Sequence, residues 1–109
     1  MTNKVLYIAK DYSETPAGRY CSDGNFSGER FREEFLYPAL LNNEHVEVNL
    51  NETLGLGSSF LEEAFGGLIR EKGMSLDEIK RKLEIVSKRT VYKNRVWEYL
   101  EDAQLQKEK

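Results

Sequence analysis

Four residues at one junction carry the most chemistry for their number: Gly55, Gly57, Ser58 and Ser59, in "LGLGSSFLEEAFGGL". Two glycines free the backbone, two hydroxyls follow, and helical apolar spacing begins at Phe60. Three uses fit this pattern. Ser59 precedes Glu62 by three residues, the spacing of a capping box, in which the hydroxyl accepts from the Glu62 amide and the carboxylate reaches back. The free amides and positive dipole end of a helix start also attract an anion such as phosphate. A hydroxyl at an exposed loop-to-helix junction is, thirdly, a site for phosphorylation, which adds about -1.5 to -2 charge. A full nucleotide motif is absent: Phe60 occupies the third glycine of a dinucleotide fingerprint, and no Gly-Lys-Ser/Thr follows. A small anion- or nucleotide-binding protein using this loop remains the alternative to a regulatory serine.

A second cluster lies in "GRYCSDGNFSGERFREEF". Arg19, Tyr20, Asp23 and Gly24 fall in a turn-rich loop, where binding residues concentrate when a scaffold holds them. The charges that follow, Glu29, Arg30, Arg32, Glu33 and Glu34, read as a solvated helix face with pairs worth a few tenths of a kcal/mol. Glu62 and Glu63 are consecutive, so on a helix they point about 100° apart and do not share a catalytic proton. Cys21 and His45 are each the only one of their kind. They allow no internal disulfide and supply too few ligands for a Cys/His zinc site. Trp97 and the Tyr92/Tyr99 stripe read as core before they read as a stacking surface for nucleic acid. The expectation is a non-enzyme with no catalytic residue, metal or cofactor.

The elements that hold these residues follow from patterning. The chain has 109 residues, 39% hydrophobic and 32% charged, which fits one domain, 1–109, with a modest core. A net charge of -3 argues against a general nucleic-acid binder. No apolar run approaches the ~20 residues of a membrane span, and "KVLYIA" reads as a buried strand rather than a signal peptide, so a cytoplasmic setting is expected. Asp23-Gly24 is a turn dipeptide able to close a hairpin between "GRYC" and "NFSG". Ser27 can cap a helix with Phe31, Phe35 and Ala39 four apart and Leu36 and Leu40 alongside, which Pro38 should kink or end near Tyr37. "HVEVNL" alternates as a half-buried strand.

Phe60, Leu61, Ala64, Phe65, Leu68 and Ile69 then form the sharpest amphipathic stripe. Gly66-Gly67 sits inside it at up to about 1 kcal/mol each, offset in expectation by close packing of helix on sheet. Gly73 is a stop signal. Ser75 and Glu78 form a further capping box. Residues 83–87 read as a strand, and a helix over about 90–105 shows Tyr92, Val96, Tyr99, Leu100 and Ala103 on one face, with 104–109 fraying. This order predicts an α/β domain: a small mixed β-sheet packed by three to four helices.

"GRYCSDGNFSGERFREEFLYPAL" and "VEVNLNETLGLGSSFLEEAFGGLIRE" resemble the STAS-like family of small bacterial proteins over about residues 4–87. That family is similar in turn to the STAS domains of anti-sigma-factor antagonists, which have a small sheet packed by helices. There a serine in Asp-Ser-Ser-Gly, at a strand-to-helix turn, is phosphorylated by a histidine-kinase-like ATPase. Ser58 and Ser59 match the paired serines, Ser59 more closely the phosphoacceptor. Gly57 stands where those domains have aspartate, and Phe60 where they have glycine. The resemblance implies a regulatory module that docks a protein partner through Gly55, Gly57, Phe60 and the Arg19–Gly24 loop.

Overall fold

The computed structural model describes residues 2–109. Three short strands, β1 (Asn3–Tyr7), β2 (His45–Asn49) and β3 (Leu83–Val86), form one sheet in that order. All run parallel, with Leu6 opposite Val48 and Val48 opposite Ile85. Parallel neighbours need long crossovers, and helical rods supply them. The first rod, residues 28–42, joins α1 (Gly28–Phe31), a wide π turn (Arg32–Leu36) and α2 (Tyr37–Asn42). The second, residues 58–70, joins α3 (Ser58–Leu61), another π turn (Glu62–Gly66) and α4 (Gly67–Arg70). Next come α5 (Leu76–Lys82) and, after β3, the long α6 (Thr90–Lys107).

The sheet buries one face. Leu6, Val46, Val48, Leu83 and Ile85 are buried, while Val5, Tyr7 and Glu84, their alternates, are exposed. This period of two is what a strand with one covered side must show. The apolar stripes of the rods join this face in one core, with Phe31, Leu36 and Leu40 from the first and Phe60, Leu61, Phe65 and Leu68 from the second, while Val96 and Leu100 bring α6 against the second rod. Each such side chain contributes about 1.5–3 kcal/mol on full burial.

Several elements differ from the sequence expectation. The first strand is not largely buried: only Leu6 within it is, because β1 lies at the sheet edge with its other face open. Ile8 is buried, but it belongs to a wide helical turn (Ile8–Tyr12) that the Asp11 carboxylate closes by accepting from the Tyr7 amide at 2.9 Å. The hairpin at Asp23-Gly24 does not form, and the sheet is wholly parallel rather than mixed. Asp23 instead accepts from the amides of Arg19 and Tyr20, at 3.2 and 2.8 Å, which curls the segment into a 3₁₀ turn (Cys21–Asp23). Pro38 does not end its helix. It sits at the start of α2 just after the π turn, where Tyr37 N–H already reaches back five residues to the Arg32 carbonyl, and the rod runs on to Asn42. The last helix holds to Lys107 instead of fraying at 104. The Ser27 cap forms, its hydroxyl accepting from the Arg30 amide at 3.2 Å, and Ser75 likewise accepts from Glu78 at 3.1 Å.

Candidate functional site

The chain leaves β2 through residues 50–57 and starts α3 at Ser58. Leu56 anchors this loop in the core, while Gly55 and Gly57 on either side are exposed, as are Ser58 and Ser59. Gly57 is the cap residue, extended at φ -75° and ψ 156°, and no side chain caps the helix. The first intrahelical bond runs from the Leu61 amide to the Gly57 carbonyl at 3.1 Å. The capping box expected of Ser59 and Glu62 therefore does not form. Glu62 turns instead to two arginines, accepting from Arg70 at 2.8 Å and from Arg19. With Gly57 as the cap, Ser59 is already the second residue of the helix, so it does not occupy the position a capping box requires. Both serine hydroxyls are left facing outward.

The second predicted cluster does lie beside this junction. The loop before α1 is tied to its start by Gly28 N–H on the Gly18 carbonyl and Glu29 N–H on the Arg19 carbonyl, each at 3.0 Å. Gly28 in turn meets the second rod so closely that a Cβ there would stand 2.4 Å from the Phe60 carbonyl oxygen. Among the predicted contact residues, Tyr20 is half exposed and Gly24 is exposed. The Asp23 carboxylate is spent on closing its own turn. Arg19 is engaged by Glu62 and, at 3.4 Å, by Glu63. Phe60 is removed from the docking surface altogether: it is fully buried in an aromatic cluster with Tyr12 and Phe31, with ring centroids 6.4 and 6.0 Å away. At the centre of that cluster Tyr12 donates to the Ser27 carbonyl at 2.8 Å, and burial pushes its hydroxyl up to about 12. Cys21 and His45 do not meet. Cys21 lies by Ser27, while the His45 ring contacts Glu84 at 3.2 Å.

Sequence reasoning missed what holds the two rods together. Arg32, read as part of a solvated face, is buried with Glu63, each 3% exposed. Its guanidinium donates to the Glu63 carboxylate at 2.6 Å, to the Glu63 carbonyl at 2.7 Å and to Glu33 at 2.9 Å. Glu63 also accepts from Arg70 at 3.0 Å, and Glu33 from Lys72 at 2.7 Å. The paired glycines make room for this network. A Cβ on Gly67 would stand 2.0 Å from the Arg32 guanidinium, and one on Gly66 2.6 Å from the Glu62 carboxylate. The close packing expected of Gly66-Gly67 is thus against ion pairs, not against the sheet. A signal was present: each glycine follows a glutamate by four residues, Glu62 to Gly66 and Glu63 to Gly67, and residues four apart share a helix face.

The network has a pH signature. Burial pushes the Glu62 carboxyl up, but hydrogen bonds from Arg70 and Arg19 outweigh it and hold it below its ordinary value of 4.5. Glu33 is lowered in the same way by Lys72 and Arg32. A depressed carboxyl adds stability that is present above the unfolded-state value and is lost as pH falls through the folded-state value. Thermal unfolding from pH 6 down to pH 3 should show the wild type losing more stability below about 4.5 than Glu62→Gln does. Parallel curves for the two would remove Glu62 from the acid response.

Residues 27–89 match the profile of a family described as a STAS-like domain of unknown function (DUF4325). Comparison with curated proteins and with solved structures gives no match. Among the described residues, no helix is long and apolar enough to cross a membrane.

Proposed function

The chain belongs to this STAS-like family, which covers more than half its length, and from that premise we propose that it is a non-enzymatic regulatory module docking a protein partner at the Gly55–Ser59 loop and the start of α3. The supporting observation is the outward, uncapped pair Ser58 and Ser59 on a helix whose next turn is locked to the first rod by Arg32 and Glu63. A rigid platform with an open, small-residue rim suits recognition, because little conformational freedom is lost on contact. Tyr20 and Gly24 extend the rim on the side of the neighbouring loop, and Arg19 adds the exposed third of its side chain. The partner the resemblance suggests is a histidine-kinase-like ATPase.

Phosphorylation is the proposed control. The Ser59 hydroxyl would attack the γ-phosphorus of ATP held by the partner, lose its proton to a base there and release ADP. The phosphate would then sit at the positive end of α3, which tolerates it, so the domain stays folded while the docking rim becomes strongly anionic. Ser59→Glu is expected to reduce co-purification of the ATPase at least ten-fold with the melting temperature within a few degrees of wild type. Undiminished capture by Ser59→Glu would remove the docking site from this loop.

The open amides at the start of α3 favour one second reading, a small anion or nucleotide bound at the same loop. Calorimetry with ATP, GTP and NAD separates the two: micromolar binding without any protein partner would favour the second.

A further inference from the structure

The carboxyl ends of β2 and β3 open into a cleft that neither the docking loop nor the arginine network uses. In α/β sheets ligands collect outside the carboxyl ends of parallel strands, because loops of independent sequence converge there on a fixed edge. Here the loop after β2, residues 50–54, meets the segment after β3, residues 87–89. They are tied by the Leu50 amide on the Val86 carbonyl at 2.8 Å and by the Lys88 amide on the Asn51 carboxamide oxygen at 2.7 Å. The cavity between them is about 220 Å³.

Its lining is chemically lopsided. Lys88 and Arg89 both line it, and among the described residues neither has a carboxylate partner. Arg89 is set over the Tyr92 ring, 6.0 Å from its centroid, and Tyr92 lines the same cleft. Leu50 and Leu54 supply an apolar wall, and Glu52 is the one opposing charge. Two cations line one cleft, and two positive charges favour a doubly charged anion over a singly charged one, with the Arg89 fork able to take two of its oxygens. The volume lies below the roughly 300–1,000 Å³ of pockets for drug-sized ligands, so the organic part must be short.

We propose that this cleft binds a small phosphomonoester, its phosphate held by Lys88 and Arg89 and its short carbon portion against Leu54 and Tyr92. The site is separate from Ser59, so it stands or falls independently of the docking reading. Glu52 opposes the ligand's charge and sets the affinity low.

The test is amide chemical-shift titration of the full chain with glycerol phosphate and with inorganic phosphate, at constant ionic strength. Saturable shifts confined to residues 50–54 and 87–92 are expected, tighter for glycerol phosphate than for inorganic phosphate. Lys88→Ala and Arg89→Ala should each weaken binding about ten-fold, equivalent to about 1.4 kcal/mol. Glu52→Gln should tighten it several-fold, a gain that no loss of folding can imitate. Non-saturable shifts, shifts centred on Ser58 and Ser59, or affinity unchanged in Glu52→Gln and Arg89→Ala would each overturn the assignment.

Discussion

Arg32→Ala is expected to cost about 3–5 kcal/mol of unfolding free energy, the range for removing one partner of a buried ion pair. The truncation leaves one oxygen of the Glu63 carboxylate without its donor at 3% exposure and strips the Glu63 backbone carbonyl of the same guanidinium. Arg70 and Arg19 reach only the other carboxylate oxygen, so they do not substitute. The cavity vacated beside Gly67 adds to the cost. The loss comes from stranding a charge rather than from intrinsic worth of the pair, so Arg32→Met combined with Glu63→Leu should recover most of it. Urea unfolding of the three proteins decides the matter. If Arg32→Ala stays within about 1 kcal/mol of wild type, the pair is hydrated and does not lock the rods.

Gly28→Ala is the second large effect, expected at about 3 kcal/mol or more, at or beyond the top of the usual overpacking range. The new methyl would stand 2.4 Å from the Phe60 carbonyl oxygen and 3.1 Å from the Ala64 amide nitrogen. Both are backbone atoms of the second rod, so no side-chain rotation relieves the clash and the rods must separate. Separation would also pull Phe31 from Phe60, whose centroids are 6.0 Å apart. Gly55→Ala is the control. Nothing lies within 4 Å of a Cβ there, so its stability should stay within about 0.5 kcal/mol of wild type, as for ordinary surface changes. Equal urea midpoints for the two alanine variants would mean that the first rod does not press on the second at Gly28.

These two positions also show how far local pattern reaches. Strong periodicities survived intact: the alternation of Val46 and Val48 in β2, and the Phe60–Ile69 stripe of the second rod. Both are short-range facts, since the spacing of apolar residues fixes which face can be buried whatever the partner is. Turn chemistry was less decisive. Asp23-Gly24 is compatible with a hairpin and with a 3₁₀ turn. The choice falls to the Asp23 carboxylate, which accepts from the amides of Arg19 and Tyr20 and so closes the shorter turn. At the candidate site, the outward-facing pair Ser58 and Ser59 was legible because exposure follows from polar residues placed off the apolar stripe. The burial of Phe60 was equally inherent in that stripe.

Composition and periodicity alone determined the α/β class, the sequence positions of the three strands and of the main helices between them, and the Gly-Ser junction at a helix start. Folding settled which charges are solvent-facing and which are internal. Arg32 and Glu33 are adjacent in sequence, yet Arg32 is enclosed by the second rod and Glu33 remains partly open. The reason is that a charge can be buried only where opposite charges and space arrive together. Here they come from Glu63, 31 positions away, and from Gly67. Hydrophobic spacing is written along the chain, but electrostatic complementarity exists only between segments that the chain has already brought into contact.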